Sequence, residues 1–397
     1  MDSTKYRFFA PCPRGLETVL QQELRGFDIR SSETTEGGVG FDGPWRLLYD
    51  VNLKSRIASR VLWEVGRAHY LTEDDVYRAA YGLNWTEWFT PSSTIKVTVS
   101  ARHCPLKSVD FVTLRIKDAV CDKFVSVSGR RPDVETRTPD IRINAFFDAT
   151  SVRFYLDTTG EPLFKRGYRV AQVAAPLREN LAAGLIALTG WKHDEPLVDP
   201  MCGSGTIPIE AALMARAIPA GIMRTFAFEG LLPHDAGVWG RIRETAWQGQ
   251  HDRVPCRIDA SDRDPAAVKL AQRTFQGAGV GADIRLTQSD FLSLDPPASQ
   301  GLLLMNPPYG VRLRSGEAMD VVYPKIGDHL KQRWSGWRVY LFTADARASK
   351  LIGLAPSKRI PLFNGSLECR LYEFKIVKGA MRSRPRTPVS AGRTTEP

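Results

Sequence analysis

The chain has 397 residues, with 54 Lys or Arg against 44 Asp or Glu and a formal net charge of +10. At 43% hydrophobic and 25% charged residues it has the composition of a globular protein, which excludes a disordered or fibrous chain. Its length predicts two or three domains, and its charge surplus suits a polyanionic partner but is spread along the chain rather than gathered in one basic arm. Residues 1–50 read as a small α+β unit: strand Tyr6–Ala10, helix Arg14–Leu24, and a glycine turn at Gly37-Gly38 entering a second strand. Residues 53–90 read as helix-like runs, with Val61, Leu62, Trp63 and Val65 near their start. Thr94–Ser100 alternates as a strand, Val109–Val127 carries apolar residues four apart as a helix, and Ile141–Phe147 and Ser151–Asp157 read as a strand pair.

From residue 176 a βαβα rhythm begins: helix Leu177–Thr189, strand Pro196–Asp199, helix Ile207–Arg216, strand Arg257–Ser261, helix Pro265–Gly277, then strands Ile284–Gln288 and Leu302–Asn306. This predicts a mostly parallel sheet with helices on both faces. Residues 217–255 interrupt the rhythm as an insertion, and 379–397 have the composition of a disordered tail. No apolar run approaches the ~18 residues of a membrane span, and the N-terminus lacks the pattern of an export signal. The six cysteines form no CxxC pair, so neither a zinc knuckle nor a disulfide framework is expected, and a reducing, cytoplasmic setting fits.

The stretch Asp199-Pro200-Met201-Cys202-Gly203-Ser204-Gly205-Thr206 is a strand end, a tight glycine turn and a helix start. Gly203 and Gly205 let backbone approach a ligand, and the helix start offers unpaired N–H groups. It lacks the Lys-Ser/Thr pair of a phosphate-gripping loop, and Pro208 stands where a dinucleotide fold has its third glycine. Asp199, opening the turn, suits a ligand with a cationic amino-acid end, such as S-adenosylmethionine (SAM). Asp262 ends the next strand, where a carboxylate can accept ribose hydroxyls. It could instead cap the following helix, although Asp264 fills that role better and leaves Asp262 free. Asp290 could meet an adenine amino group and Phe291 stack on its ring; a solvated loop acid is the plainer reading of Asp290.

The segment Leu302 to Gly310 is an apolar strand ending in Asn306-Pro307-Pro308-Tyr309. Two prolines remove two donors, so the loop offers acceptors only. Asn306 adds a side-chain carbonyl, and Tyr309 a face for stacking a flipped base. Adjacent acceptors match an exocyclic amino group, whose lone pair must be aimed at the methyl it attacks.

These residues resemble the THUMP-domain SAM-dependent RNA methyltransferases, most of all their ribosomal guanine-N2 branch. The likeness runs over about residues 5–378. It rests on Phe9–Glu17, Ile57–Leu62, Leu106-Lys107-Ser108, Arg115–Ala119, Phe164–Arg169, Ala175–Glu179, the Asp199–Thr206 turn and Asn306–Gly310. The resemblance implies a ferredoxin-like unit at 1–50, an RNA-holding THUMP domain at 51–160, and a class I Rossmann-like SAM methyltransferase domain at 161–378. Asp199, Cys202, Gly203, Gly205, Thr206, Asp262, Asp290 and Phe291 would hold SAM, with Glu179 a further contact. Asn306, Pro307 and Tyr309 would hold a guanine of RNA, most naturally of 23S ribosomal RNA. A tRNA guanine, or an amino group of DNA or protein, stays open. Lys107 and Arg115, and Lys165, Arg166 and Arg169 at the domain junction, are the candidate RNA contacts.

Overall fold

The computed structural model describes residues 5–169, 177–308 and 319–376. Strands β1 (Tyr6–Pro11), β2 (Ser31–Thr35), β3 (Gly38–Gly43), β4 (Leu62–His69), β5 (Ile95–Ala101), β6 (Ile141–Phe147) and β7 (Ser151–Asp157) form one sheet, ordered β2-β3-β1-β4-β7-β6-β5. Helices α1 (Glu17–Leu24), α2 (Leu47–Lys54), α3 (Glu73–Tyr81), α4 (Trp85–Trp88) and α5 (Val109–Ser128) accompany it. Strand β6 shows why: Ile141, Ile143, Ala145 and Phe147 alternate into the core at the two-residue period of a pleated strand. Helix α5 buries Val112, Ile116, Val120 and Phe124, is capped by Ser108 accepting from the Phe111 amide at 3.2 Å, and ends at Gly129 with φ +69°.

One element departs from the sequence reading. Residues 62–69 are strand β4, not the start of a helical run. The cluster Leu62-Trp63-Val65 carries apolar bulk that suits either state, and pairing decides: β1 binds one edge and β7 the other. Strand β4 thereby joins residues before and after position 50 into one continuous sheet.

The second sheet contains β8 (Leu197–Asp199), β9 (Ile258–Asp262), β10 (Ile284–Gln288), β11 (Gly301–Met305), β12 (Trp337–Thr343), β13 (Lys358–Asn364) and β14 (Leu367–Lys375), in the order β10-β9-β8-β11-β12-β14-β13. Its helices are α6 (Glu179–Thr189), α7 (Thr206–Ala215), α8 (Ala236–Gln248), α9 (Pro265–Gly277), α10 (Met319–Arg333) and α11 (Ala348–Leu351). Pairing from β10 to β12 is parallel, and the β13–β14 hairpin closes the edge antiparallel. Strand β11 is buried throughout, as a central parallel strand must be. Its alternate residues divide the core: Leu302 and Leu304 face a cluster extending to Phe8 and Phe41, while Leu303 and Met305 face one built on Trp334 and Trp337. Strand order reverses at β8, which has β9 on one side and β11 on the other. In an open α/β sheet a ligand crevice lies at the carboxyl ends of the strands at such a reversal.

The two halves are locked by buried polar contacts. Arg166 and Glu210 have side chains 2% and 0% exposed and approach to 3.4 Å, with the Tyr168 hydroxyl donating to Glu210 at 3.1 Å. Arg166 also donates to the carbonyl of Arg56, and Arg56 in turn donates to that of Leu213 at 3.1 Å. Asn180 donates to the Ile57 carbonyl and to Ser59. Arg166 is therefore a structural cation, and the expectation that it contacts RNA is corrected: a guanidinium this buried has no solvent face to offer a phosphate. The 217–255 insertion contains α8 and packs Trp239 against Tyr49 and Phe228, while Trp247 is exposed. Glu210→Ala should leave the Arg166 charge buried and unpaired, at a cost of about 3–5 kcal/mol. A urea unfolding midpoint close to wild type would contradict that role for the pair.

Candidate active site

Helix α7 begins at a turn that only glycine makes comfortably. Gly203 and Gly205 have φ of +55° and +82°, and a Cβ on Gly205 would strike the Phe275 ring from α9. The turn is tied to the neighbouring strand: the Cys202 amide donates to the Ser261 carbonyl at 2.9 Å, and the Gly203 amide to Asp262 Oδ2 at 3.0 Å. Asp262 Oδ1 takes the Asp264 amide at 2.9 Å, and Asp264 itself caps α9 by accepting from Ala266. Asp264 thus caps α9 as the sequence reading has it, but Asp262 is not free. Each of its oxygens holds one backbone N–H and keeps lone pairs for a further donor.

Asp199 ends β8 and is 1% exposed. Its one described hydrogen bond is from the Met201 amide at 3.3 Å. Burial, with Asp262 adding repulsion, pushes its carboxyl up to about 8. Burial also raises the Cys202 thiol well above its ordinary value, so the turn presents no thiolate. Thr206, the first residue of α7, is buried. Its hydroxyl lies 3.4 Å from Arg169 Nη2.

One expected contact, that of the Phe291 ring, takes a different place. Phe291 is 2% exposed, its ring 5.0 Å from His329 and 5.7 Å from Trp334 in T-shaped and tilted contacts. Its faces belong to the core, so stacking on a cofactor ring is corrected; the aromatic packing there excludes a planar guest. Asp290 caps the short turn that follows it, accepting from the Leu292 amide at 2.9 Å, with Arg263 at 3.9 Å. Arg169 is likewise not a surface cation. Its Nε donates to Glu179 Oε1 at 3.0 Å and its Nη2 to the Leu177 carbonyl at 3.1 Å. Arg169 is therefore withdrawn from the RNA contacts, because Nε and Nη2 are taken up at the starts of α6 and α7 and Nη1 is buried. Glu179 is 4% exposed, and burial raises its carboxyl above the usual range despite Arg169.

At the carboxyl end of β11, Asn306 is half-buried and Pro307 buried. Asn306 Oδ1 is buried with no hydrogen-bond partner among the described residues, an acceptor held ready for a donor. Tyr309 lies outside the described residues. Ser261, which the sequence reading passed over, has a second such atom: its Oγ is buried and unpartnered beside the turn. Its position next to Asp262 at the end of β9 was the available signal. Of the surface cations, Lys107 is exposed, and Lys165 is exposed and paired with Glu161. Arg115 is 28% exposed, bound to Asp74 at 2.6 Å and seated 4.4 Å over the Tyr77 ring. Among the described residues no group of His, Cys, Asp or Glu could hold a metal ion, and no helix is long and apolar enough to cross a membrane.

Residues 166–373 match the family model of the RMKL-like methyltransferase domain, 70–157 that of the THUMP domain, and 7–62 that of the RlmL ferredoxin-like domain. The chain belongs to this methyltransferase family. It is 36% identical to the ribosomal RNA large subunit methyltransferase K/L of Syntrophotalea carbinolica, over 97% of this chain and 56% of that one. It is 35% identical to a Synechocystis protein named "Putative RNA methyltransferase slr0064", over 94% of this chain and 98% of that one. The crystal structure of SMU.472 complexed with SAH superimposes with a TM-score of 0.86 at 29% identity, covering 95% of this chain and 99% of that one. The chain spans about half the length of the K/L relatives. Within the family's methyltransferase domain, the Gly203–Gly205 turn and Asn306 follow the carboxyl ends of the neighbouring strands β8 and β11, where the strand order reverses.

With a carboxyl near 8, Asp199 is mostly protonated at pH 7, and because its folded value lies above the unfolded one, stability falls as pH rises from about 4 towards 8. A ligand that brings an ammonium group to Asp199 must expel that proton. Calorimetry at pH 7 in buffers of different ionisation enthalpy should show net proton release on binding, and Asp199→Asn should remove it. Identical proton release in the two proteins would mean that Asp199 does not meet the cation.

Proposed function

We propose that this chain transfers a methyl group from SAM to the exocyclic N2 of a guanine in RNA, with the large ribosomal RNA as the target. The observation that carries the reading is the unpartnered Asn306 Oδ1 at the end of β11, across the strand reversal from the glycine turn. Family membership supports methyl transfer, and the names of the K/L and Synechocystis relatives support RNA. The matched THUMP and ferredoxin-like regions give the catalytic half a folded platform, tied to it where Arg166 donates to the Arg56 carbonyl and Arg56 to that of Leu213.

The residues fit the cofactor on the structure's own terms. A Cβ on Gly203 would meet nothing within 4 Å, Asp199 is a buried carboxyl that a cation could meet, and Ser261 Oγ lacks a partner among the described residues. SAM supplies an electrophilic methyl on a sulfonium. The protein's part is placement. Asp199 and the start of α7 would hold the amino-acid end, and the remaining lone pairs of Asp262 would accept ribose hydroxyls. Asp290, beside the end of β10, would meet the adenine edge.

Asn306 Oδ1 would accept one N–H of the target amine and the Pro307 region's backbone carbonyls the other, so that the nitrogen lone pair points along the line of attack. Once methylated, the nitrogen would carry a positive charge that acidifies it, so it would give up one of its two protons to water and no strong base is needed. Lys107 and Lys165 are the exposed candidates for phosphate contacts. A reducing, cytoplasmic setting agrees with six free cysteines.

Asn306→Ala should lower turnover by about 10²-fold while leaving SAM affinity within about threefold, since it removes positioning and not the cofactor site. The decisive assay uses labelled SAM and total RNA from a strain lacking the gene, followed by nucleoside analysis. Label in N2-methylguanosine of the large ribosomal RNA is expected. Label in tRNA would change the target, label in DNA or protein alone would overturn the RNA reading, and an Asn306→Ala protein with normal turnover would overturn the mechanism.

A further inference from the structure

Arg169 is held on two of its nitrogens and unmet on the third. Nε and Nη2 donate to Glu179 Oε1, the Leu177 carbonyl and Thr206 Oγ1 at 3.0, 3.1 and 3.4 Å. Nη1 is buried and has no partner among the described residues. A charged donor left buried and unmet costs free energy, and one that lies beside a candidate ligand site is a group that a bound acceptor would satisfy. Three fixed contacts hold the guanidinium while one donor waits, which is the condition of a preorganised binding group. The location narrows what it would receive. Thr206 is the first residue of α7, so its contact with Nη2 places the guanidinium beside the end of that helix that carries the positive end of its dipole. Donors of one sign converge, and a carboxylate offers two oxygens to a guanidinium in the geometry that suits it best.

We propose that Arg169 binds the carboxylate at the amino-acid end of the cofactor, with Glu179 and the Leu177 carbonyl as the residues that hold the guanidinium in place. The inference rests on the SAM reading above and assigns one end of that ligand. It also gives Glu179 a definite duty: it orients Arg169 and need not touch the ligand.

Two ligands separate this role from a bracing one. S-adenosylhomocysteine carries the amino acid; 5′-methylthioadenosine has the same nucleoside and thioether without it. By calorimetry, Arg169→Gln should weaken S-adenosylhomocysteine about tenfold to hundredfold and leave 5′-methylthioadenosine within about twofold of wild type. Equal losses for both ligands would show that Arg169 only braces the turn, and unchanged S-adenosylhomocysteine affinity would remove it from the site; either overturns the proposal. The wild type gives an arm that needs no variant. Decarboxylated SAM should bind about tenfold or more weakly than SAM, and equal affinity would refute a carboxylate contact. A wild type that binds neither nucleoside ligand would instead overturn the cofactor reading itself.

Discussion

Glu210 is a carboxylate in the middle of a helix whose residues are buried at every position except Met214. A charge in that position is tolerable only if its partner is buried with it, and the partner, Arg166, comes from the segment that joins the two halves of the molecule. The consequence reaches well beyond one ion pair. Arg166 also binds the Arg56 carbonyl, and Arg56 reaches the carbonyls of Leu213 and Ile218 at the far end of the same helix. Helix α7 is therefore pinned at its middle and its C-terminal end to the first half of the chain. Its N-terminal end is the glycine turn, so the site inherits its position from a contact made well away from the crevice. Glu23 adds to this fixing by accepting from Ser55 and the Arg56 amide at 2.6 and 2.7 Å.

Buried side-chain atoms without a described partner occur in several parts of the molecule, Arg56 Nη1 and Asn180 Oδ1 among them, and three of them, Asn306 Oδ1, Ser261 Oγ and Arg169 Nη1, belong to residues at the ends of β11 and β9 and beside the start of α7. Satisfied groups stabilise a fold and unsatisfied ones cost it, so those beside a candidate site are the ones a bound molecule would complete. Asp199 follows the same logic by another route. Its neutral form relieves the burial penalty, and the proposed ammonium contact would replace that proton. A fixed frame beside unmet polar atoms agrees with the methyl transfer proposed above, in which the protein would supply placement and no nucleophile.

Much of the fold was legible along the chain. The alternation of Ile141–Phe147, the four-residue spacing in α5 and the βαβα rhythm after residue 176 are local signals of burial on one face or both. The Asp199–Thr206 turn was legible because left-handed backbone demands glycine at particular places. Strand β4 was not, since Leu62, Trp63 and Val65 suit a helix stripe as well as a strand, and only pairing with β1 and β7 settles the matter. Phe291 and the arginines failed for a related reason. An aromatic ring after an acid, or a cation in a basic stretch, looks the same in sequence whether it faces a ligand or the core.

By itself, then, the sequence determined the periods, the turns and the chemistry of the acceptor loop at Asn306-Pro307-Pro308, because those depend on a residue and its near neighbours in the chain. The tertiary structure alone decided which charges are buried. Arg166, Arg169 and Lys165 lie within five positions of one another, yet the first closes on Glu210, the second on Glu179 and only the third is open to solvent. Burial is set by what packs on top of a side chain, and here that cover comes from helices α6 and α7, which follow later in the chain.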